Sequence, residues 1–216
     1  MVNNLYPALS AEGVDDIVDL RFYAWGNAYV DIESCSTGEY SKTAMYCWID
    51  TCGDKNSEKR NETAYDERIM VEGNIYDETT DDGNCWNETL KICQHGEPEC
   101  LANIYEACAG AHADSQKAFV QFLYCFEKNE GGASSVRSCA EKASIDADTL
   151  ESCAKGPEGL KLDTKNAMAT ASFGSSRLGT PWIVVNGKHL EDPSEMLQAI
   201  CDAYENASKP LGCESA

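Results

Sequence analysis

The chain has 216 residues, with 37 acidic against 17 basic side chains and a formal net charge of -20. A surface of that sign repels a phosphate backbone or an anionic lipid headgroup, so neither nucleic acid nor a membrane surface is expected as a partner. Twelve cysteines point to an oxidising compartment, and the length suits one domain with a sizeable insertion or one compact domain with a satellite module.

The first ten residues, Met1 to Ser10, carry no basic n-region, no continuous apolar stretch and no small-residue cleavage site, so they do not read as a signal peptide. No apolar run of about 18 residues or more exists to make a membrane span. Sequons at Asn61, Asn87 and Asn206 nonetheless agree with glycosylation in the secretory pathway. A cysteine-rich, sequon-bearing chain without an export signal leads to the expectation of further residues upstream of Met1.

Leu5 to Val14 suits the tail of a helix. Val18 to Trp25 alternates apolar and mostly polar residues and stops at Gly26-Asn27, which predicts a half-buried strand. Residues 31–90 are polar and hold Cys35, Cys47, Cys52 and Cys85. The run from Asp77 to Gly83 suits a solvated loop, and the whole stretch is expected to be an insertion held by local disulfides.

From Cys93 to Cys153 the period is helical. Leu101, Ile104, Tyr105 and Cys108 share one face, and Phe119, Phe122, Leu123 and Phe126 repeat the spacing as a buried core face. Gly131 and Gly132 break that helix, and shorter helical pieces are expected at Val136 to Lys142 and Ala147 to Ala154. Thr180 to Leu190 then gives a short apolar strand, an Asn186-Gly187 turn of type I′ and a return strand. Asp192 caps a last helix with Pro193 at its first position and Glu195 three residues after the cap, placing Met196, Leu197, Ile200 and Tyr204 against a sheet.

Strand, helical insertion, proline-led hairpin and terminal helix together make an α/β, thioredoxin-like layout. Its disulfide-stapled helical insertion is present, while its first strand and active-site helix are largely missing. The units expected are residues 1–30 as the remnant of the N-terminal half, 31–90 as the polar insertion, 91–175 as the helical disulfide-rich insertion and 176–216 as the C-terminal hairpin and helix.

The densest motif is Cys93-Gln94-His95-Gly96-Glu97-Pro98-Glu99-Cys100-Leu101-Ala102-Asn103-Ile104-Tyr105-Glu106-Ala107-Cys108. It resembles the signature C-Q-H-G-x-x-E-C-x-x-N-x-x-x-x-C of the gamma-interferon-inducible lysosomal thiol reductase family at every fixed position. Tyr23 to Ala28, Thr180 to Lys188 and the Cys201 to Cys213 stretch continue the likeness. The resemblance implies reduction of disulfides in protein substrates, in the lysosome or vacuole or outside the cell, without a cofactor. That chemistry needs two cysteines two residues apart at a helix N-terminus, one to attack the substrate disulfide and one to resolve the mixed disulfide.

No C-x-x-C occurs in these residues, so no catalytic cysteine is assigned; the family's catalytic pair is expected upstream of the strand at Val18 to Trp25. The even cysteine count is compatible with Cys93, Cys100, Cys108, Cys125, Cys139, Cys153, Cys201 and Cys213 as structural bridges, the alternative being one labile redox-active pair among Cys93, Cys100 and Cys108. A zinc site fails on spacing, and no metal is expected. His95 is assigned a structural role, while His112 and His189 carry no motif. Thr180 and a cis Pro181 are expected to dock substrate backbone. The alternative function is a non-catalytic, disulfide-stapled secreted binding protein; a lipid-contacting helical module fits the acidity least.

Overall fold

The first helix, α1, runs over Val2–Ser10 and buries Leu5, Ala8 and Leu9, the i, i+3, i+4 stripe of an amphipathic helix. This is the computed structural model of the chain, and it describes residues 2–53, 84–174, 177, 179–206 and 208–214. Downstream of a 3-10 turn at Asp15–Ile17, the segment predicted as a strand pairs with no ladder among the described residues. Its backbone is served differently: the Leu20 N–H donates to Gln116 Oε1 at 2.7 Å, and the Gln116 amide donates in turn to Asp15 Oδ1 at 2.6 Å. The apolar positions Val18, Leu20 and Phe22 still pack on a core that contains Leu5, Val14, Leu123 and Met196. The alternation therefore reported one-sided packing, which a strand and an extended segment share.

Strand β1, Tyr29–Val30, pairs antiparallel with β2, Lys91–Ile92, in the register Tyr29↔Ile92 and Val30↔Lys91. Helix α2, Lys42–Trp48, is capped by the Ser41 hydroxyl, which accepts from the Ala44 N–H, and it continues into a π turn at Ile49–Gly53. Trp25, Trp48 and Trp86 fill the core beside this sheet. Trp25 and Trp48 stack with centroids 5.9 Å apart, and each indole N–H is satisfied, by Ala28 O at 2.7 Å and by Cys85 O at 3.0 Å respectively.

Five helices form the middle of the chain: α3 Glu97–His112, α4 Gln116–Lys128, α5 Val136–Ala143, α6 Ala147–Lys155 and α7 Pro157–Ala171. The aromatic stripe of α4 is core, as its period predicts, but it serves two cores at once. Phe122 and Phe126 stack at 5.3 Å among Tyr105, Cys139 and Leu150, while Leu123 turns toward α1. On α3, Tyr105 and Cys108 are buried, whereas Leu101, at the N-terminal end of the predicted face, is exposed.

Helix α7 is not predicted by large apolar residues, because its buried positions are Gly159, Asp163, Ala167, Ala169, Thr170 and Ala171. Small residues let it approach its neighbours closely. A Cβ at Gly159 would lie 2.6 Å from Cys153 O and 2.8 Å from Ile104 Cγ2, so no larger side chain fits there.

Strands β3, Ile183–Val185, and β4, Lys188–Leu190, form the predicted hairpin. Asn186 and Gly187 both take positive φ, 44° and 80°, as a type I′ turn requires. Asp192 accepts from the Ser194 N–H and opens a 3-10 turn at Pro193–Glu195, which leads into α8, Met196–Ala203. This last helix packs on β3, as expected of a helix that faces a sheet, and on α1 as well. Among the described residues the chain is thus mostly helical, with two small antiparallel sheets and six disulfides. No described helix is long and apolar enough to cross a membrane.

Candidate functional site

The motif from Cys93 to Cys108 forms the entry and body of α3. Gly96 is the residue before the helix and has φ 85° and ψ -167°, a conformation open in practice to glycine alone. Its carbonyl accepts from the Glu99 and Cys100 N–H groups at 3.1 and 3.3 Å. Pro98 sits in the first turn, where a missing N–H costs nothing, and Glu97 and Glu99 place negative charge at the positive end of the helix dipole. The Glu99 carboxylate reaches back: its Oε2 accepts from the His95 N–H and lies 2.9 Å from His95 Nδ1. His95 is otherwise exposed.

Three further residues of the motif hold this helix to the rest of the chain. Gln94 Oε1 accepts from Asn27 Nδ2 at 2.9 Å. Asn103, buried, donates to the Trp25 carbonyl at 3.2 Å. Cys108 is bonded to Cys153 on α6. The 24–28 turn is therefore clamped from two points on the motif, and Asn166 of α7 adds a third bond, to Ala24 O at 3.3 Å.

Beneath Trp25 lies a buried ion pair. Lys91 Nζ donates to Asp163 Oδ1 and Oδ2 at 2.8 and 2.7 Å, with the Lys91 side chain 6% and the Asp163 side chain 1% exposed. The same ammonium stands 4.2 Å from the centroid of a Trp25 ring. Sequence reasoning missed both partners. The period-two alternation of Leu90-Lys91-Ile92 suggests an outward lysine, and nothing in Lys161-Leu162-Asp163 marks a buried acid.

The cysteine set closes completely: Cys35–Cys47, Cys52–Cys85, Cys93–Cys100, Cys108–Cys153, Cys125–Cys139 and Cys201–Cys213 are bonded and no cysteine is free. Cys93–Cys100 spans the turn before α3, and Cys125–Cys139 joins α4 to α5. Cys201–Cys213 ties α8 to a 3-10 turn at Leu211–Cys213. Thr180 and Pro181 are exposed, joined by a cis peptide bond, at the entry to β3. On the hairpin's return, His189 stacks on Trp182 with centroids 3.7 Å apart.

Asn87 and Asn206 lie in turns. Asn87 Oδ1 accepts from the Thr89 N–H and hydroxyl, and Asn206 donates to Tyr204 Oη at 3.0 Å. Asn61 falls outside the described residues. Among the described residues, His112, Cys153 and Glu158 come together with ligand atoms within 4.8 Å of one another. The set does not fit a metal, because the Cys153 sulfur is already bonded to Cys108.

Comparison with known proteins agrees with the motif. Residues 56–143 match the family model described as gamma interferon inducible lysosomal thiol reductase. The gamma-interferon-inducible lysosomal thiol reductase of Mus musculus is 33% identical over 125 residues, covering 57% of this chain and 50% of the mouse protein. Its counterpart in Carassius auratus is 31% identical over 129 residues, 56% of this chain and 50% of that protein. The gamma-interferon-responsive lysosomal thiol protein of Arabidopsis thaliana is 32% identical over 129 residues, 57% of this chain and 54% of that protein. The chain spans about half the length of these curated relatives. On these matches and on the motif from Cys93 to Cys108, the chain is similar over part of its length to the gamma-interferon-inducible lysosomal thiol reductases.

Proposed function

We propose that this chain serves the reduction of disulfides in protein substrates, on a thioredoxin-like layout, in the secretory pathway leading to the lysosome or vacuole or outside the cell. The observation that carries this reading is the complete signature at Cys93 to Cys108, every fixed residue of which has a defined place in the fold, together with relatives named as thiol reductases. In such a reaction the substrate disulfide accepts two electrons from a dithiol, which itself becomes a disulfide through a mixed-disulfide intermediate. These 216 residues contain no C-x-x-C, and their twelve cysteines are all bonded, so no step of that exchange is assigned to a thiol of this chain. What its residues supply is a stapled scaffold and an exposed loop at Thr180 and Pro181, joined by a cis bond; on this reading that loop receives an extended peptide. Glycans at Asn61, Asn87 and Asn206 belong to the same reading.

The second reading, a non-catalytic disulfide-stapled binding protein, is favoured by the closed cysteine set. Insulin, intact and reduced-and-alkylated, tests the docking role that both readings share. The proposal expects the chain to bind insulin, more weakly after Pro181→Ala, and to give no turnover above the rate with reductant alone. Turnover would reassign the chemistry to one of the six disulfides, while failure to bind either form of insulin, with or without Pro181, would remove the docking role.

A further inference from the structure

Arg177 stands at the approach to the hairpin and is 2% exposed. Its Nη1 donates to the Gly179 carbonyl at 3.4 Å. Its Nε and Nη2 are buried and have no hydrogen-bond partner among the described residues. Buried polar atoms are paired in the great majority of cases, and a buried guanidinium with two idle donors is a rarer exception still. The two idle atoms are not an arbitrary pair. Nε and Nη2 form one edge of the guanidinium plane, a two-donor fork whose N–H bonds run parallel and match the two oxygens of a carboxylate.

The surroundings point the same way. Tyr40 Oη is also buried without a partner among the described residues. Burial lowers the proton affinity of Arg177, while Tyr46 and Tyr40 lie close enough to push it back up. Glu99 is within electrostatic reach of Tyr40, but its Oε2 is committed to His95. A cation and a hydroxyl, both with buried polar atoms that have no partner among the described residues, are therefore within electrostatic reach of each other.

We propose that Arg177 and Tyr40 form a receptor for one carboxylate group, the Nε and Nη2 edge of Arg177 taking both oxygens and the Tyr40 hydroxyl donating a further bond. The carboxylate is that of a small organic acid or of a polypeptide, two sources with the same chemistry. The site is independent of disulfide exchange, so its failure would leave the reductase reading untouched.

The test is a titration of the full chain at constant ionic strength, with chloride as the reference anion. The probes are acetate, a short peptide with a free C-terminal carboxylate, the same peptide as its C-terminal amide, and inorganic phosphate. The readouts are the Arg177 Nε–H resonance in the proton–nitrogen spectrum and the thermal unfolding midpoint. A carboxylate probe shifts the resonance and raises the midpoint, and the amide does neither. A response to acetate shows that the carboxylate alone suffices, and a response to the free-acid peptide only shows a polypeptide ligand. Arg177→Lys, which keeps the charge and loses the fork, weakens binding at least about tenfold, and Tyr40→Phe weakens it about three- to tenfold. Should Arg177→Lys not fold, Tyr40→Phe and the wild-type resonance decide. A wild-type resonance indifferent to every carboxylate, a response to phosphate and not to acetate or the free-acid peptide, or undiminished binding in the variants overturns the proposal.

Discussion

Replacing Asp163 by Asn would keep the shape of the side chain and delete its charge, removing a doubly bonded counter-ion from the buried Lys91. The pair is close and doubly bonded, at 2.7 and 2.8 Å, and nearly dry, with exposures of 1% and 6%. Exposed pairs of this kind contribute at most about 1 kcal/mol; stripping one partner from a buried pair costs about 3–5 kcal/mol, because the surviving charge must be desolvated alone. A chain of this size loses about 2–4 °C of melting temperature per kcal/mol, which places the Asp163→Asn midpoint roughly 6–20 °C below wild type. Lys91→Met with Asp163→Leu removes both charges and restores apolar volume, so it should recover most of the loss. Thermal unfolding followed by circular dichroism, checked by urea unfolding, reads both variants. A loss under about 1 kcal/mol for Asp163→Asn, or a double variant no better than the single one, would show that the pair is solvated in solution and refute the reasoning.

Two further outcomes are expected. Joint replacement of Cys108 and Cys153 by Ala opens a loop of 45 residues and should lower stability by about 4 kcal/mol on the chain-entropy account, and equal urea midpoints would contradict it. Glu106 is buried, and burial first, then the hydrogen bond and charge of Glu127, raise its carboxyl well above the ordinary value of 4.5. A raised value in the folded state means that this contribution is fully present below the ordinary value and is lost as pH rises through the folded one. Glu106→Gln should therefore flatten the fall of the unfolding midpoint above pH 4.5, and parallel curves for variant and wild type would rule this out.

The sequence was most legible where one rule acted alone. The Asn186-Gly187 turn, the Asp192 cap and the aromatic period of α4 follow from local chemistry, and each is found where the pattern puts it. It was least legible where the structure depends on a distant partner. Val18 to Trp25 has the alternation of a strand but pairs with no neighbouring strand among the described residues, and a glutamine 96 positions away takes the Leu20 N–H instead. Helix α7 was hidden because close helix packing selects Gly159, Ala167 and Ala171 rather than large aliphatic residues. In the site, the cysteines and Asn103 were legible as a motif, yet Lys91, Asp163 and Arg177 were not. A buried charge carries no local mark in a sequence, since what permits it is a group elsewhere in the chain.

The clamp built by Gln94, Gly96, Glu99, Cys100, Asn103 and Cys108 has a consequence for how such proteins diverge. These residues fasten one turn and one helix together; none of them is a thiol free to exchange. Selection to preserve the shape would keep them even in a lineage whose chemistry had drifted or been lost. In this chain the motif therefore holds architecture, and the cysteines within it are bonded rather than free to exchange.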